Sequence, residues 1–137
     1  MTVRRLDLGD GGESALFRLY FIETGHDGDV NQFLEKLAHT DPDEFAGTVE
    51  YLDRVAQHGL LKNEEKSRFL DKKLRIFELK SGRVRIPAFW DKNRLIICAN
   101  AFFKDAAKTK KNELRRAQTL KKQYDYDKNL NQVTFKE

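Results

Sequence analysis

Between Leu74 and Ala117 the chain alternates strand-forming runs with turn-forming residues in an order that few folds accept. LRIFELK leads into Ser81-Gly82, then RVRIPAFW, then Asp91-Lys92-Asn93, then RLIICANAFFK, and a basic linker enters KTKKNELRRA. Ser81-Gly82 fits a tight hairpin turn and Asp91-Lys92-Asn93 a slightly longer one. Two such turns in series predict a three-stranded antiparallel meander followed by a basic helix. In the middle strand, alternation sets Val84, Ile86, Ala88 and Trp90 on one face and Arg83, Arg85, Pro87 and Phe89 on the other. Pro87 cannot donate to a ladder, so a bulge or an unpaired position is expected there.

Upstream, Ala15 to Ile22 (ALFRLYFI) reads as a buried first strand ended by Gly25 to Gly28. Two helices follow. Asp29 with Gln32 has the form of a capping box, and Val30, Phe33, Leu34, Leu37 and Ala38 mark a buried stripe. Asp41-Pro42-Asp43-Glu44 is a second helix start, with Phe45, Val49, Leu52 and Ala56 as its stripe and Gly59 as its stop. The short connection predicts an antiparallel helical hairpin whose outer face is acidic. Leu60 to Asp71 is expected to be a charged loop. After the last strand, Thr109 can cap a helix running to about Tyr124, with Leu114, Ala117 and Leu120 or Lys121 turned inward. The expected organisation is a flexible tail over 1–14, a single domain over 15–124 and a polar tail over 125–137, where Val133 and Phe135 can add a short edge strand. The fold class is α+β: an N-terminal helical hairpin packed on a small, mainly antiparallel sheet, with a C-terminal helix.

Charge is divided sharply. Residues 1–61 carry 5 Lys/Arg and 12 Asp/Glu, a net of −7, whereas residues 62–137 carry 21 and 10, a net of +11. The C-terminal half therefore suits an anionic partner, with nucleic acid ahead of a membrane surface. No apolar run approaches the roughly 20 residues that a membrane span needs, and no signal-peptide pattern opens the chain, so a cytoplasmic location is expected. Cys98 lies in an apolar strand and reads as a reduced core thiol. His26, His39 and His58 all fall in the acidic half, no Cys/His spacing suits a metal, and no phosphate loop or nucleophile elbow is present. No metal and no cofactor are expected.

What remains is a sheet face rich in cations. Arg75, Lys80, Arg83, Arg85 and Arg94 lie on or beside the hairpins, and Lys104, Lys108, Lys110 and Lys111 follow the last strand. Arg83 and Arg85, about 6–7 Å apart along a strand, match neighbouring phosphate oxygens if the face is left open. An attack by a 2′-hydroxyl on its own phosphate needs a base, stabilisation of the phosphorane charge and an acid for the leaving 5′-oxygen. Arginines can supply the charge stabilisation. A lysine whose pKa is depressed by cationic neighbours can move the proton. Tyr124 or Tyr126 can stack on a base or join in proton transfer, although core packing at a helix end is the plainer role for either.

Phe77-Glu78-Leu79-Lys80, Gly82-Arg83-Val84-Arg85-Ile86, Ala101-Phe102-Phe103-Lys104 and Lys108-Thr109-x-Lys111-x-Glu113-Leu114-x-Arg116-Ala117 together resemble the RelE/ParE toxin superfamily, in its HigB-like, phage-derived branch. The resemblance implies the toxin of a type II toxin–antitoxin pair, a metal-independent endoribonuclease that cleaves mRNA on the ribosome and is neutralised by a cognate helix-turn-helix antitoxin. It carries catalytic roles to Arg85, which would stabilise the phosphorane, and Lys80, which would assist proton transfer, with Lys104 and Lys108 beside them. Arg75, Arg83, Lys111 and Tyr124 are the expected RNA-binding residues. Two alternatives stand beside this reading: a non-enzymatic, ParE-like inhibitor of gyrase, and an inactive RNA-binding relative.

Overall fold

A computed structural model describes residues 1–9, 15–60, 67–104 and 107–137, without the side chains of 67–68 and 107–109. Its organising element is the strand over Val84–Asp91, which is hydrogen-bonded along both edges. In chain order the described elements are β1 (Thr2–Arg5), β2 (Arg18–Glu23), α1 (Val30–Thr40), α2 (Pro42–His58), β3 (Ser67–Asp71), β4 (Ile76–Ser81), β5 (Val84–Asp91), β6 (Leu95–Cys98), β7 (Phe102–Phe103), α3 (Ala107–Asn129) and β8 (Thr134–Lys136). The sheet runs β3-β4-β5-β6-β2-β1-β8, with β7 beside β5. Its pairs are antiparallel except β2 with β6 and β1 with β8. This is the mixed α+β, mainly antiparallel architecture that the strand and helix patterns predict.

The meander forms as expected. Gly82 and Arg83 make a two-residue turn between the paired Ser81 and Val84, and Gly82 has φ 56°, the left-handed value that glycine adopts most readily. The second hairpin closes on the Asp91–Leu95 pair, with Asn93 and Arg94 at φ 63° and 60°. Between the pairs Ala88–Cys98 and Arg85–Phe102, two residues of β5 face three of the opposite chain, Ala99 to Ala101. That is a bulge, and it sits opposite Pro87. The Pro87 carbonyl accepts the Ala99 N–H at 2.8 Å, so the amide hydrogen that proline lacks would have pointed into the bulge.

Strand alternation divides the apolar residues between two layers. Leu19, Phe21, Phe77, Leu79, Val84, Ile86, Ala88 and Cys98 pack with Val30, Leu34 and Leu37 of α1 and Leu52 and Val55 of α2. Tyr20, Ile22, Ile76, Phe89 and Ile97 pack with Ala117, Leu120 and Tyr124 of α3. Both faces of the central strands are therefore covered, which corrects the expectation of one open face. The charged surface of α3 hides a buried stripe at i, i+3 and i+7.

Several local expectations also change. Residues 2–5, assigned to a loose tail, form β1, because Val3 is fully buried in the α3 layer and β1 fills the place between β2 and β8. Residues 10–14 lie outside the described residues. The charged segment before β4 supplies the edge strand β3, while residues 61–66 of it lie outside the description. The helix α3 begins at Ala107, before Thr109, and continues past Tyr124 to Asn129; β8 then pairs with β1, and Phe135 meets Tyr20 edge-on at 5.6 Å. Asp41 caps α2 as expected, accepting the Glu44 N–H at 3.2 Å, and Gly59 ends that helix at φ 79°. Asp29 does not cap α1 with its side chain. Its buried carboxylate instead accepts the N–H groups of Thr24 (2.7 Å) and Gly25 (2.8 Å) and meets Arg116 at 3.3 Å. Gly28 makes this crossing possible, since a Cβ there would lie 2.0 Å from Arg116 Nη1.

The bulge is tied to α3 through Asn100, fully buried, whose amide donates to the Glu113 carboxylate at 2.6 Å. Asn100→Ala leaves that carboxylate without its amide partner and is expected to cost about 1–3 kcal/mol, read as a lower urea midpoint at unchanged m-value. An unchanged midpoint would mean that this bond does not hold the bulge. Burial pushes the Cys98 thiol up to about 12. Iodoacetamide at mildly alkaline pH should therefore leave Cys98 unmodified in the native protein and alkylate it in denaturant; labelling of the native state at the rate of a free thiol would contradict this placement.

Candidate functional site

Strands β4 and β5 pair so that Lys80 lies directly opposite Arg85. Glu78 is two residues before Lys80, on the same face of β4, and it packs diagonally beside Arg85. Like charges placed directly across a ladder oppose folding, so this pair is an electrostatic cost that the surrounding structure must hold in place. Part of the compensation is visible. Arg85, 4 % exposed, donates through Nη1 to the carbonyls of Gly82 (2.7 Å) and Val84 (2.9 Å), and its Nε lies 3.7 Å from the Glu78 carboxylate. Arg85 is thus locked against the hairpin turn by the backbone it belongs to.

These residues floor a recess of about 210 Å³ lined by Glu78, Lys80, Arg85, Lys104 and Lys110. Among the described residues four cations face one carboxylate, a formal net charge of +3. Each wall comes from a different element. Lys80 and Arg85 stand on the hairpin; Lys104 follows β7, where its N–H donates to the Arg83 carbonyl at 3.0 Å; Lys110 comes from the first turns of α3. The bulge at Ala99 to Ala101 sets the register that brings Phe102 beside Arg85 and so carries Lys104 to the end of the recess. Chemically the arrangement offers a concentrated positive field, a buried guanidinium and two or three ammonium groups within reach of one anion.

Of the expected catalytic residues, Lys80, Arg85 and Lys104 are brought together here. Lys108 falls in the first turn of α3, and its side chain lies outside the described residues. The expected RNA-binding residues scatter. Arg83 belongs to the turn, where strand alternation no longer applies, and it swings to the α2 side. There its guanidinium meets Glu44 at 3.1 and 3.2 Å and lies 4.6 Å from the centroid of Phe103. Arg83 and Arg85 therefore do not share a face. Arg75, at φ 58° in the β3–β4 turn, is exposed at the far end of β4, about 16 Å along the strand from Lys80. Lys111 is exposed on α3 beside Lys110 but does not line the recess.

Tyr124 is corrected most clearly. It is 2 % exposed, packs against Phe89 at 5.1 Å, and donates its hydroxyl to Asp91. Burial first, and then the Asp91 carboxylate, raise its pKa well above the ordinary tyrosine value. It is a core residue, not a surface for stacking bases. Tyr126 is exposed on the outer side of α3.

Two lining residues, Glu78 and Lys110, were not among the expected site residues. Period-two alternation from Lys80 points to Glu78, whereas the choice among Lys108, Lys110 and Lys111 depends on how α3 docks. None of the three histidines lines the recess, and among the described residues no group of three or more His, Cys, Asp or Glu side chains could hold a metal ion. Among the described residues no helix is long and apolar enough to cross a membrane.

The model of the family described as phage-derived protein Gp49-like (DUF891) matches residues 34–122, more than half of the chain, and this span includes every residue lining the recess. No curated protein matches the chain. With α2, strands β3 to β7, the first turns of α3 and the cationic recess inside the matched span, the chain belongs to the phage-derived Gp49-like family, a toxin-like family of type II toxin–antitoxin systems.

Proposed function

We propose that this protein is the toxin of a type II toxin–antitoxin pair and acts as an endoribonuclease on mRNA, held in check by a cognate antitoxin. The observation that carries the reading is the convergence of Lys80, Arg85, Lys104 and Lys110 on one recess beside Glu78. A phosphodiester entering it meets a field matched to the extra negative charge of a phosphorane. In this reading the 2′-hydroxyl attacks the adjacent phosphorus and its proton passes to a base. Arg85 stabilises the charge on the non-bridging oxygens, and a lysine, Lys80 first, delivers a proton to the departing 5′-oxygen. The products are a 2′,3′-cyclic phosphate and a free 5′-hydroxyl. Glu78 holds Arg85 in place through their contact on the recess floor. The resemblance to HigB-like toxins supports mRNA on the ribosome as the substrate and a helix-turn-helix protein as the antitoxin.

Arg85→Ala is expected to lower mRNA cleavage by about 10²-fold or more and to relieve growth inhibition. Because Arg85 is buried against Glu78, Arg85→Lys and Glu78→Gln/Arg85→Ala are run beside it, with far-UV circular dichroism and thermal melts to confirm folding. Primer extension on induced cells reads the outcome, and a folded Arg85→Ala protein that still cleaves would overturn the site. A supercoiling assay on the same preparation reads gyrase inhibition, which the ribonuclease reading expects to be absent.

Cleavage is further expected to persist in EDTA and to stop when the nucleotide supplying the 2′-hydroxyl is replaced by its 2′-deoxy analogue. Loss of activity in EDTA, restored by added divalent metal, would refute the proposed chemistry without touching the toxin assignment.

A further inference from the structure

At the other end of the β4–β5 hairpin, two aromatic side chains lie in the open together. Phe69 of β3 is 53 % exposed and Trp90 of β5 is 39 % exposed, with ring centroids 6.2 Å apart. Trp90 is backed by the buried Phe77, 4.2 Å from it at a 40° tilt, which fixes the indole against the sheet. Phe69, Trp90, Lys72 and Arg75 line one open pocket of about 460 Å³. The turn that carries the two cations is itself held: Asp71 accepts the Leu74 N–H and a Gln118 amide hydrogen, each at 2.9 Å. Nothing in the recess chemistry uses these residues, and an exposed Phe69 on the edge strand β3, next to an exposed Trp90, is a liability that a sequence ordinarily avoids.

We infer that Phe69 and Trp90, rimmed by Lys72 and Arg75, form a second RNA subsite that stacks an unpaired base and holds its flanking phosphates. Every base has a π face, so aromatic platforms next to cations bind single strands with little sequence preference. The charge decides among occupants. A second copy of this chain would set Lys72 and Arg75 against their own counterparts, whereas a single-stranded RNA supplies both the apolar face and the anionic backbone. Trp90 lies five residues from Arg85, about 17 Å along β5, and on the opposite face of the sheet. The subsite therefore contacts RNA away from the bond that reacts, and it sets how the strand is held without taking part in cleavage. The inference rests on RNA as the partner but not on the cleavage mechanism.

Trp90 is the single tryptophan of the chain, so its emission reports this subsite alone. The probe is a short 2′-O-methylated oligoribonucleotide, which lacks the attacking hydroxyl and stays intact, and its total binding is followed in parallel by fluorescence anisotropy. Quenching of Trp90 emission in step with binding is expected. Phe69→Ala should weaken affinity roughly tenfold, and Lys72→Ala/Arg75→Ala should reduce the slope of log affinity against log salt by about 1.4, as two lost phosphate contacts on a single strand would. Trp90→Phe, which keeps an aromatic face, should bind within a few-fold of the parent. Binding that leaves Trp90 emission unchanged, or an affinity unaffected by Phe69→Ala, would overturn the subsite while leaving the nuclease reading intact. A change in self-association on Phe69→Ala, with oligonucleotide affinity unchanged, would overturn it in favour of contact between copies. Quenching in a protein that cleaves no RNA would uphold the subsite and remove the nuclease reading.

Discussion

The amide hydrogen that Pro87 does not have governs the centre of this structure. A strand paired on both edges needs a donor at each position of its ladder, and β5 lacks one in its middle. The chain opposite answers with an extra residue. The bulge over Ala99 to Ala101 separates β6 from β7, so that one apolar stretch pairs with β5 in two registers. Two consequences follow. Phe102 comes to lie beside Arg85, which places Lys104 at the recess, and Asn100 is directed at α3, where Glu113 receives its amide. A regular ladder through this region would shift every residue after Cys98 by one and exchange the faces of Phe102 and Phe103.

The charged run that opens α3 divides along the same line. In the run from Lys108 to Ala117, Glu113 anchors the bulge, Arg116 crosses Gly28 to reach the buried Asp29 carboxylate, and Ala117, fully buried, lets α3 approach the sheet. Three of its positions are thus architectural. They hold α3 in the one position that brings Lys110 over the hairpin. A motif of mostly charged residues is here a docking device for a helix with a narrow apolar stripe.

Electrostatics links the two halves of the chain. The acidic N-terminal half is not merely a solvated exterior, since Glu44 and Asp41 at the start of α2 take up Arg83 from the hairpin turn. That contact removes one arginine from the expected anion-binding face and fixes the turn whose carbonyls hold Arg85. Near the end of α3, Asp91 plays a matching part. Burial alone would raise its carboxyl, but hydrogen bonds from Tyr124, the Lys92 N–H and Lys128 together hold it below the ordinary aspartate value. Its contribution to stability is therefore present above the unfolded-state aspartate pKa and is lost as pH falls through its lower folded value.

Local rules made much of this legible. Alternation gave the faces of β5, Gly82 the hairpin, Asp41-Pro42 the start of α2, and Pro87 the bulge, because each depends on backbone geometry within a few residues. Lys80 and Arg85 could be paired from the hairpin register for the same reason. What the sequence could not determine was the covering of the second face. Whether Tyr124 meets a base or Phe89, whether Arg83 meets phosphate or Glu44, and which lysine of α3 reaches the recess all depend on contacts between segments far apart in the chain. The short strand β1 is not legible because it offers one inward apolar residue, Val3, too little for a periodic signal, whereas Val133 and Phe135 do mark the edge strand that forms as β8. The sequence by itself determined the strands and turns of the meander and the supply of cations. Only the tertiary structure decided which cations meet, because that choice rests on burying the α3 stripe against a sheet assembled from both ends of the chain.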